Sequence, residues 1–325
     1  MKKLVATLLC AFLATPVMAD KLRLNLGFWP GDLEPELENR LLKDDLIAGS
    51  GFGRLNFEWS GKQTYTLYPL GAQYIKENLG PGDLMVGGNY IRYAPEYKFN
   101  GIGFGPSVSI VSLENFLNSD WEAEVGYRMD VMDKKLFVIP KAGGRWHFQE
   151  FDRNETLIGP GTLAFSVGDN SFRGSAKGTF IGAGLQFYVT SDFSVFGDFI
   201  TTSPLFGNVS GDMTDKRTLI GVGGSSPILY LDNASGGYEM NLTRWTFGAQ
   251  YDLSPELHLQ GGIREETTRS KYPGYVNIPI VLQGNSANLG DSFVTEVITD
   301  ILFWEAEEVQ KKGFIFLGVS YDVNF

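Results

Sequence analysis

Hydrophobic and polar residues alternate along most of this chain, in runs of about eight to fifteen positions. The clearest run sets Trp121, Ala123, Val125, Tyr127, Met129 and Val131 on one parity and Glu122, Glu124, Gly126, Arg128 and Asp130 on the other. A period of two sends these sets to opposite faces of a β-strand. After the two-residue link Asp133-Lys134, a second run carries Leu136, Val138, Pro140, Ala142, Trp146 and Phe148 on one face, with Lys141, Arg145, His147 and Gln149 opposite. A turn joining Met132 to Lys135 sets Gly126 beside Lys141 and Glu122 beside Arg145. Polar positions then meet polar ones and apolar meet apolar. A slip of one residue would destroy that match, so the pattern predicts both the hairpin and its register.

The same reasoning predicts two more hairpins. Ile181, Ala183, Leu185, Phe187 and Val189 lead through Thr190-Ser191-Asp192 into Phe193, Val195, Gly197 and Phe199. Trp245, Phe247, Ala249 and Tyr251 lead through Leu253-Ser254-Pro255 into Leu257, Leu259 and Ile263. A three-residue link there sets Arg244 opposite Arg264. Shorter runs predict strands around Leu22–Phe28, Leu55–Trp59 and Ile102–Ile110. Tyr65–Ile75 and Met85–Tyr97 also read as strands, without a clear phase, because Pro69 and Pro95 interrupt them. The count is about twelve, with ten or fourteen also compatible. Links alternate between short (Asp133-Lys134, Thr190–Asp192, Leu253–Pro255) and long (Trp29–Ser50, Asp152–Phe172, Gly207–Gly236, Arg269–Gln310).

A soluble sandwich and a membrane barrel share this alternation; they differ in which face is outside. Strands of 10 to 15 residues are long for a soluble sheet and suit a tilted membrane crossing. Short turns on one side and long loops on the other point the same way. The chain also ends on Ile315, Leu317, Val319, Tyr321, Val323 and Phe325, apolar at alternate positions up to a terminal aromatic. This ending resembles the C-terminal signature of bacterial outer-membrane β-barrel proteins. The resemblance implies an antiparallel up-and-down barrel, with Val319, Tyr321, Val323 and Phe325 read by the barrel assembly machinery. It implies short periplasmic turns and long extracellular loops. Trp121 and Trp146 then lie near the outer interface, and Trp59 and Tyr251 near the inner one.

The first residues fit this destination. Lys2 and Lys3, the apolar run Leu4–Leu13 and the small residues up to Ala19 read as an export signal, which leaves one barrel domain over residues 20–325. The only cysteine, Cys10, lies in that segment, so no disulfide framework is expected. With 27 basic against 38 acidic residues the chain carries a net charge of −11, which argues against nucleic acid as a partner. Two histidines and one cysteine are too few for a Cys/His zinc site, and no cofactor is expected.

Enzymes of this class carry a His close to a Ser, or carboxylate pairs with an Asp-His pair. His147 and His258 stand in neither local pattern, so no catalytic residue is assigned. The polar faces instead place charges of both signs in the lumen: Glu122, Glu124, Arg128, Asp130, Lys141, Arg145, Arg244 and Arg264. These residues either tune a pore or form salt bridges that hold the lumen shut. Two link segments, Asp32–Gly49 and Asp291–Gln310, have helix-like spacing. The leading expectation is a porin-like passive channel for small hydrophilic solutes, in contact with outer-membrane lipid and lipopolysaccharide. The alternative is a structural or surface-interaction barrel with a closed lumen.

Overall fold

The turn at Asp133-Lys134 forms as the alternation requires. Both residues have positive φ (44° and 63°), the geometry of a two-residue hairpin turn whose twist matches its strands. The amide of Lys135 donates to the carbonyl of Met132 at 2.8 Å, and Gly126 pairs with Lys141 and Glu122 with Arg145. This computed structural model describes residues 21–33, 54–58, 63–93, 99–104, 108–159, 161–167, 170–202, 209–223, 226–274, 280–283 and 308–325. The export segment, Trp59, most of Asp32–Gly49 and nearly all of Asp291–Gln310 lie outside the described residues.

The described elements are all strands: β1 (Lys21–Leu33), β2 (Arg54–Glu58), β3 (Gln63–Leu67), β4 (Leu70–Leu79), β5 (Gly82–Tyr93), β6 (Phe99–Phe104), β7 (Val108–Asp130), β8 (Leu136–Gly159), β9 (Thr162–Ser166), β10 (Ser171–Tyr188), β11 (Phe193–Thr202), β12 (Val209–Gly223), β13 (Ser226–Asp252), β14 (Leu257–Lys271), β15 (Ile280–Gln283) and β16 (Glu308–Asn324). Antiparallel pairing runs β1-β4-β5-β7-β8-β10-β11-β13-β14-β16 and returns to β1, where Lys21 meets Asn324. These ten strands close a barrel, within the range expected from the alternation. Closure pairs the edges that an open sheet would expose.

Which face is outside is settled by burial. Val125, Leu185 and Phe247 are 49%, 53% and 53% exposed on the outer wall. Glu122, Arg145 and Arg244 are 5%, 2% and 4% exposed inside it. A soluble sandwich has the opposite arrangement. The outward apolar run of β7 extends from Val131, just past the strand's end, up to Trp121. Ten steps of ~3.3 Å rise at ~40° tilt give a band about 25 Å tall, the height of a membrane barrel's apolar girdle. Its upper edge is aromatic: Trp121 pairs directly with Trp146 and packs tilted against Tyr90 at 4.2 Å, and Trp245 meets Phe199 at 4.2 Å.

Above that edge the sheet continues beyond the ring. Links that read as long loops contain strands: β8 and β10 extend upward, and β12 pairs with both β10 and β13 where β11 has ended. β9 joins β8 and β12 at the top. This outer tier has a different interior. A bulge in β7 inserts one residue between Glu114 and Leu117, with Asn115 at φ 54°. An extra residue reverses the parity of everything beyond it. Below the bulge the odd positions Trp121 and Val125 face out; above it the odd positions Val111 and Leu113 face in. They pack with Phe116, Phe151, Phe172, Met213, Tyr238, Met240 and Phe314 in a buried apolar core.

The hairpin between β13 and β14 differs from the expected register. Arg244 stands opposite Glu266, and Arg264 opposite Thr246, so the expected Arg244–Arg264 pair is not formed. The three-residue turn lies one position later than read, at Ser254-Pro255-Glu256 between Leu253 and Leu257. The hydroxyl of Ser254 accepts from the amides of Glu256 (3.2 Å) and Leu257 (3.1 Å), and the Leu253 amide donates to the Leu257 carbonyl (2.9 Å). The shift is two positions in register, so inside and outside are preserved while the neighbour changes.

Candidate functional site

Alternation along β7, β8, β13, β14 and β16 brings charged side chains to one level inside the barrel. Arg145 is the centre. Its Nε donates to Oδ1 of Asp120 at 3.0 Å, and Nη1 donates to Oε1 of Glu122 at 3.3 Å. Two parallel bonds of 3.1 Å reach both carboxylate oxygens of Glu266. Arg244 donates from Nη1 to both oxygens of Glu122, at 2.7 and 2.9 Å. Lys312 lies 3.6 Å from Glu266, and Nδ1 of His147 is 2.8 Å from Asp120. Arg145 on β8 and Glu266 on β14 are four strands apart around the ring, so this network crosses the lumen rather than running along its wall. Two parallel N–H···O bonds fix the guanidinium plane as well as its charge.

Above the network the apolar core of the outer tier fills the interior, with Tyr238 5.9 Å from His147. Below it lies a cavity of about 300 Å³. Its polar walls include Lys141, Asp198, Glu124, Gln250, Gln260 and Asn89; Trp29, Phe196 and Phe316 form an aromatic wall. Lys141 bonds to Asp198 and lies 3.6 Å from Glu124. Towards the turn end a second network begins: Arg23 donates to both oxygens of Asp322 at 2.6 and 2.8 Å, and His258 lies between Asp252 (2.6 Å) and Asp322 (3.2 Å).

Of the eight residues expected in the lumen, Glu122, Arg145 and Arg244 share the crossing network, and Glu124 and Lys141 line the cavity with Arg264. Arg264 packs over the Trp29 ring at 4.5 Å. Arg128 is held by Asp83 at 2.6 Å. Asp130 is exposed at the turn, where its carboxylate accepts from the amides of Met132 (3.1 Å) and Lys134 (2.8 Å); it fastens the turn and does not line the lumen. Val319, Tyr321 and Val323 pair with Leu26, Leu24 and Leu22 across the closing seam, with Val319 and Tyr321 on the outer wall.

Asp120, Lys312 and Asp322 were not among the residues singled out from the sequence. Asp120 shares the inward parity of Glu122 and extends the same polar face by one repeat. Lys312 and Asp322 share the inward parity of β16. Both histidines have carboxylate partners, but from other strands or across a turn, which a search for local motifs misses. Among the described residues no group of His, Cys, Asp and Glu is arranged to hold a metal ion.

No protein-family model matches the chain, and no curated protein sequence matches it. Among solved structures it is similar to the outer membrane protease OmpT from Escherichia coli, at 12% identity over 95% of this chain and 99% of that one, with a TM-score of 0.44. It is also similar to the Pseudomonas putida toluene transporter TodX, at 13% identity over 96% and 90% of the two chains, with a TM-score of 0.32. A Pseudomonas aeruginosa FadL homologue is 8% identical over 93% and 90%, with a TM-score of 0.30. These neighbours are all outer-membrane β-barrel proteins.

Proposed function

We propose that this chain is an outer-membrane β-barrel with a closed lumen, whose ring anchors an outer tier that makes contacts at the cell surface. The observation that carries this reading is the ion network spanning the lumen beneath an apolar core. A passive channel needs a continuous aqueous path, and parting Arg145 from Asp120, Glu122 and Glu266 leaves buried charges uncompensated. The ring's short turns face the periplasm in this reading, and its girdle rests in lipid beneath lipopolysaccharide. The alternating last strand fits delivery by the barrel assembly machinery. The histidines serve the networks rather than a reaction.

A second observation favours surface contact. On one face of the outer tier, Ile158, Leu163 and Val222 lie in one cross-strand row, and Phe165 stands opposite Ile220 in the next. All five are exposed. Contiguous exposed apolar area on a folded tip is characteristic of interaction sites.

Conductance in planar bilayers tests the proposal. The expected result is a silent bilayer once insertion has been verified by protease protection. Stable unitary openings would overturn it and restore the passive-channel reading; Arg244→Glu would then be expected to shift ion preference.

A further inference from the structure

We propose that the cavity below the ion network is a binding site for a small organic carboxylate with an apolar body. The argument begins with Arg264. Its guanidinium lies over the Trp29 ring at 4.5 Å, and the residue lines the cavity. Stacking on an aromatic face holds the plane while leaving the N–H edges unspent. Every other cation lining the cavity is within 4 Å of a carboxylate: Arg244 at Glu122, Lys141 at Glu124 and Asp198, Arg23 at Asp322. Among the described residues the Arg264 side chain makes no ion pair or hydrogen bond, and its contact is the Trp29 ring. A planar fork held over a ring and not engaged by an acid matches a carboxylate bidentately.

The neighbouring wall specifies the rest of the ligand. Trp29 lies 6.2 Å from Phe316, which lies 6.2 Å from Phe196, so an aromatic surface continues from the Arg264 stack. Gly248 makes this wall possible. A Cβ there would stand 2.7 Å from Cζ of Phe196 and 2.9 Å from Cζ of Phe316. At about 300 Å³ the cavity is at the small end of ligand sites, which suits a compact aromatic or aliphatic acid. This inference is independent of the closed-lumen reading: binding is measured on detergent-solubilised protein whether or not a bilayer conducts.

The test is titration calorimetry of the full chain with benzoate, benzyl alcohol and inorganic phosphate, with tryptophan fluorescence as a second reading. Saturable one-to-one benzoate binding is expected, with at least tenfold weaker binding of benzyl alcohol and of phosphate. Arg264→Gln is expected to weaken benzoate binding at least tenfold and leave benzyl alcohol unchanged. Arg264→Lys should retain part of the affinity. Circular dichroism of each variant verifies the barrel, and the benzoate-to-benzyl alcohol ratio of the unaltered protein carries the test if Arg264→Gln does not fold. Absence of saturable benzoate binding, equal binding of benzoate and benzyl alcohol, or undiminished binding in folded Arg264→Gln would each overturn the proposal. Phosphate binding as tight as benzoate would also overturn it, showing an anion site indifferent to the aromatic wall.

Discussion

In the ring, Glu122, Arg145 and Arg244 are buried while Val125 and Phe247 face outward. Above Asn115, Val111 and Leu113 are buried while Glu114, Asp212, Thr214 and Lys216 are exposed. One continuous sheet thus runs through two solvents. Where hydrocarbon is outside, polar groups must satisfy one another within. Where water is outside, apolar burial again drives packing. The outer tier still encloses charge, as Arg153 with Asp215 and Arg217 with Glu155, but these pairs reach only from β8 to β12, across the strand position shared by β9 and β10, next to an apolar core. The ring's network instead joins strands across the interior. The difference teaches that the charged cluster is a substitute for a core in a region that cannot use hydrophobic contrast to hold itself together.

The bulge is where this comparison breaks most readily. Deleting Asn115 removes the extra residue and sets the parities of Val111 and Val125 in conflict. Turning Val111 and Leu113 outward alone costs roughly 3–6 kcal/mol, at about 1.5–3 kcal/mol for each side chain. The expected outcome is failure of the outer tier to fold, seen as lost hydrogen-exchange protection over residues 108–117 and 209–223. Next in size is Arg145→Leu. It leaves Asp120, Glu122 and Glu266 facing one another without their shared cation, and should lower stability by about 3–5 kcal/mol in denaturant unfolding from vesicles. A loss under 1 kcal/mol would mean the network does not act as the ring's core.

A pair of arginine substitutions sharpens the boundary between the tiers. Val125→Arg in the girdle should cost about 2–4 kcal/mol in a bilayer. Ile220→Arg, 41% exposed on the outer tier, should stay within about 0.5 kcal/mol. Equal costs would show that both positions meet the same solvent. A smaller loss than that of Val125→Arg is expected at the turn. Asp130→Ala removes the acceptor for the Met132 and Lys134 amides, with a loss of about 1 kcal/mol by the same unfolding measurement.

The sequence made the first hairpin legible to the residue, because the polar and apolar positions of β7 and β8 match in only one phase. The neighbour of Arg244 was misread by two positions. Parity alone does not distinguish registers two apart, and the deciding bonds come from the Ser254 hydroxyl. The bulge leaves a faint trace in Leu113-Glu114-Asn115-Phe116-Leu117, where alternation lapses around a residue that tolerates positive φ. The contact between Arg145 and Glu266 was beyond pattern reading. Alternation gives a residue's side of the sheet and hairpins give its nearest strands, whereas a meeting across the lumen depends on how tightly the ring curves. The strands of the outer tier were hidden for a related reason: their apolar faces turn inward in short, mixed segments that read as loops.

The pairing of Lys21 with Asn324 imposes an order of events on the molecule's birth. β1 has no partner on one flank until β16 exists, so a nascent chain still on the ribosome cannot seal itself. Every route to the finished cylinder passes through a stage with two unzipped borders. Whatever escorts the polypeptide must shield both of them until the last strand arrives.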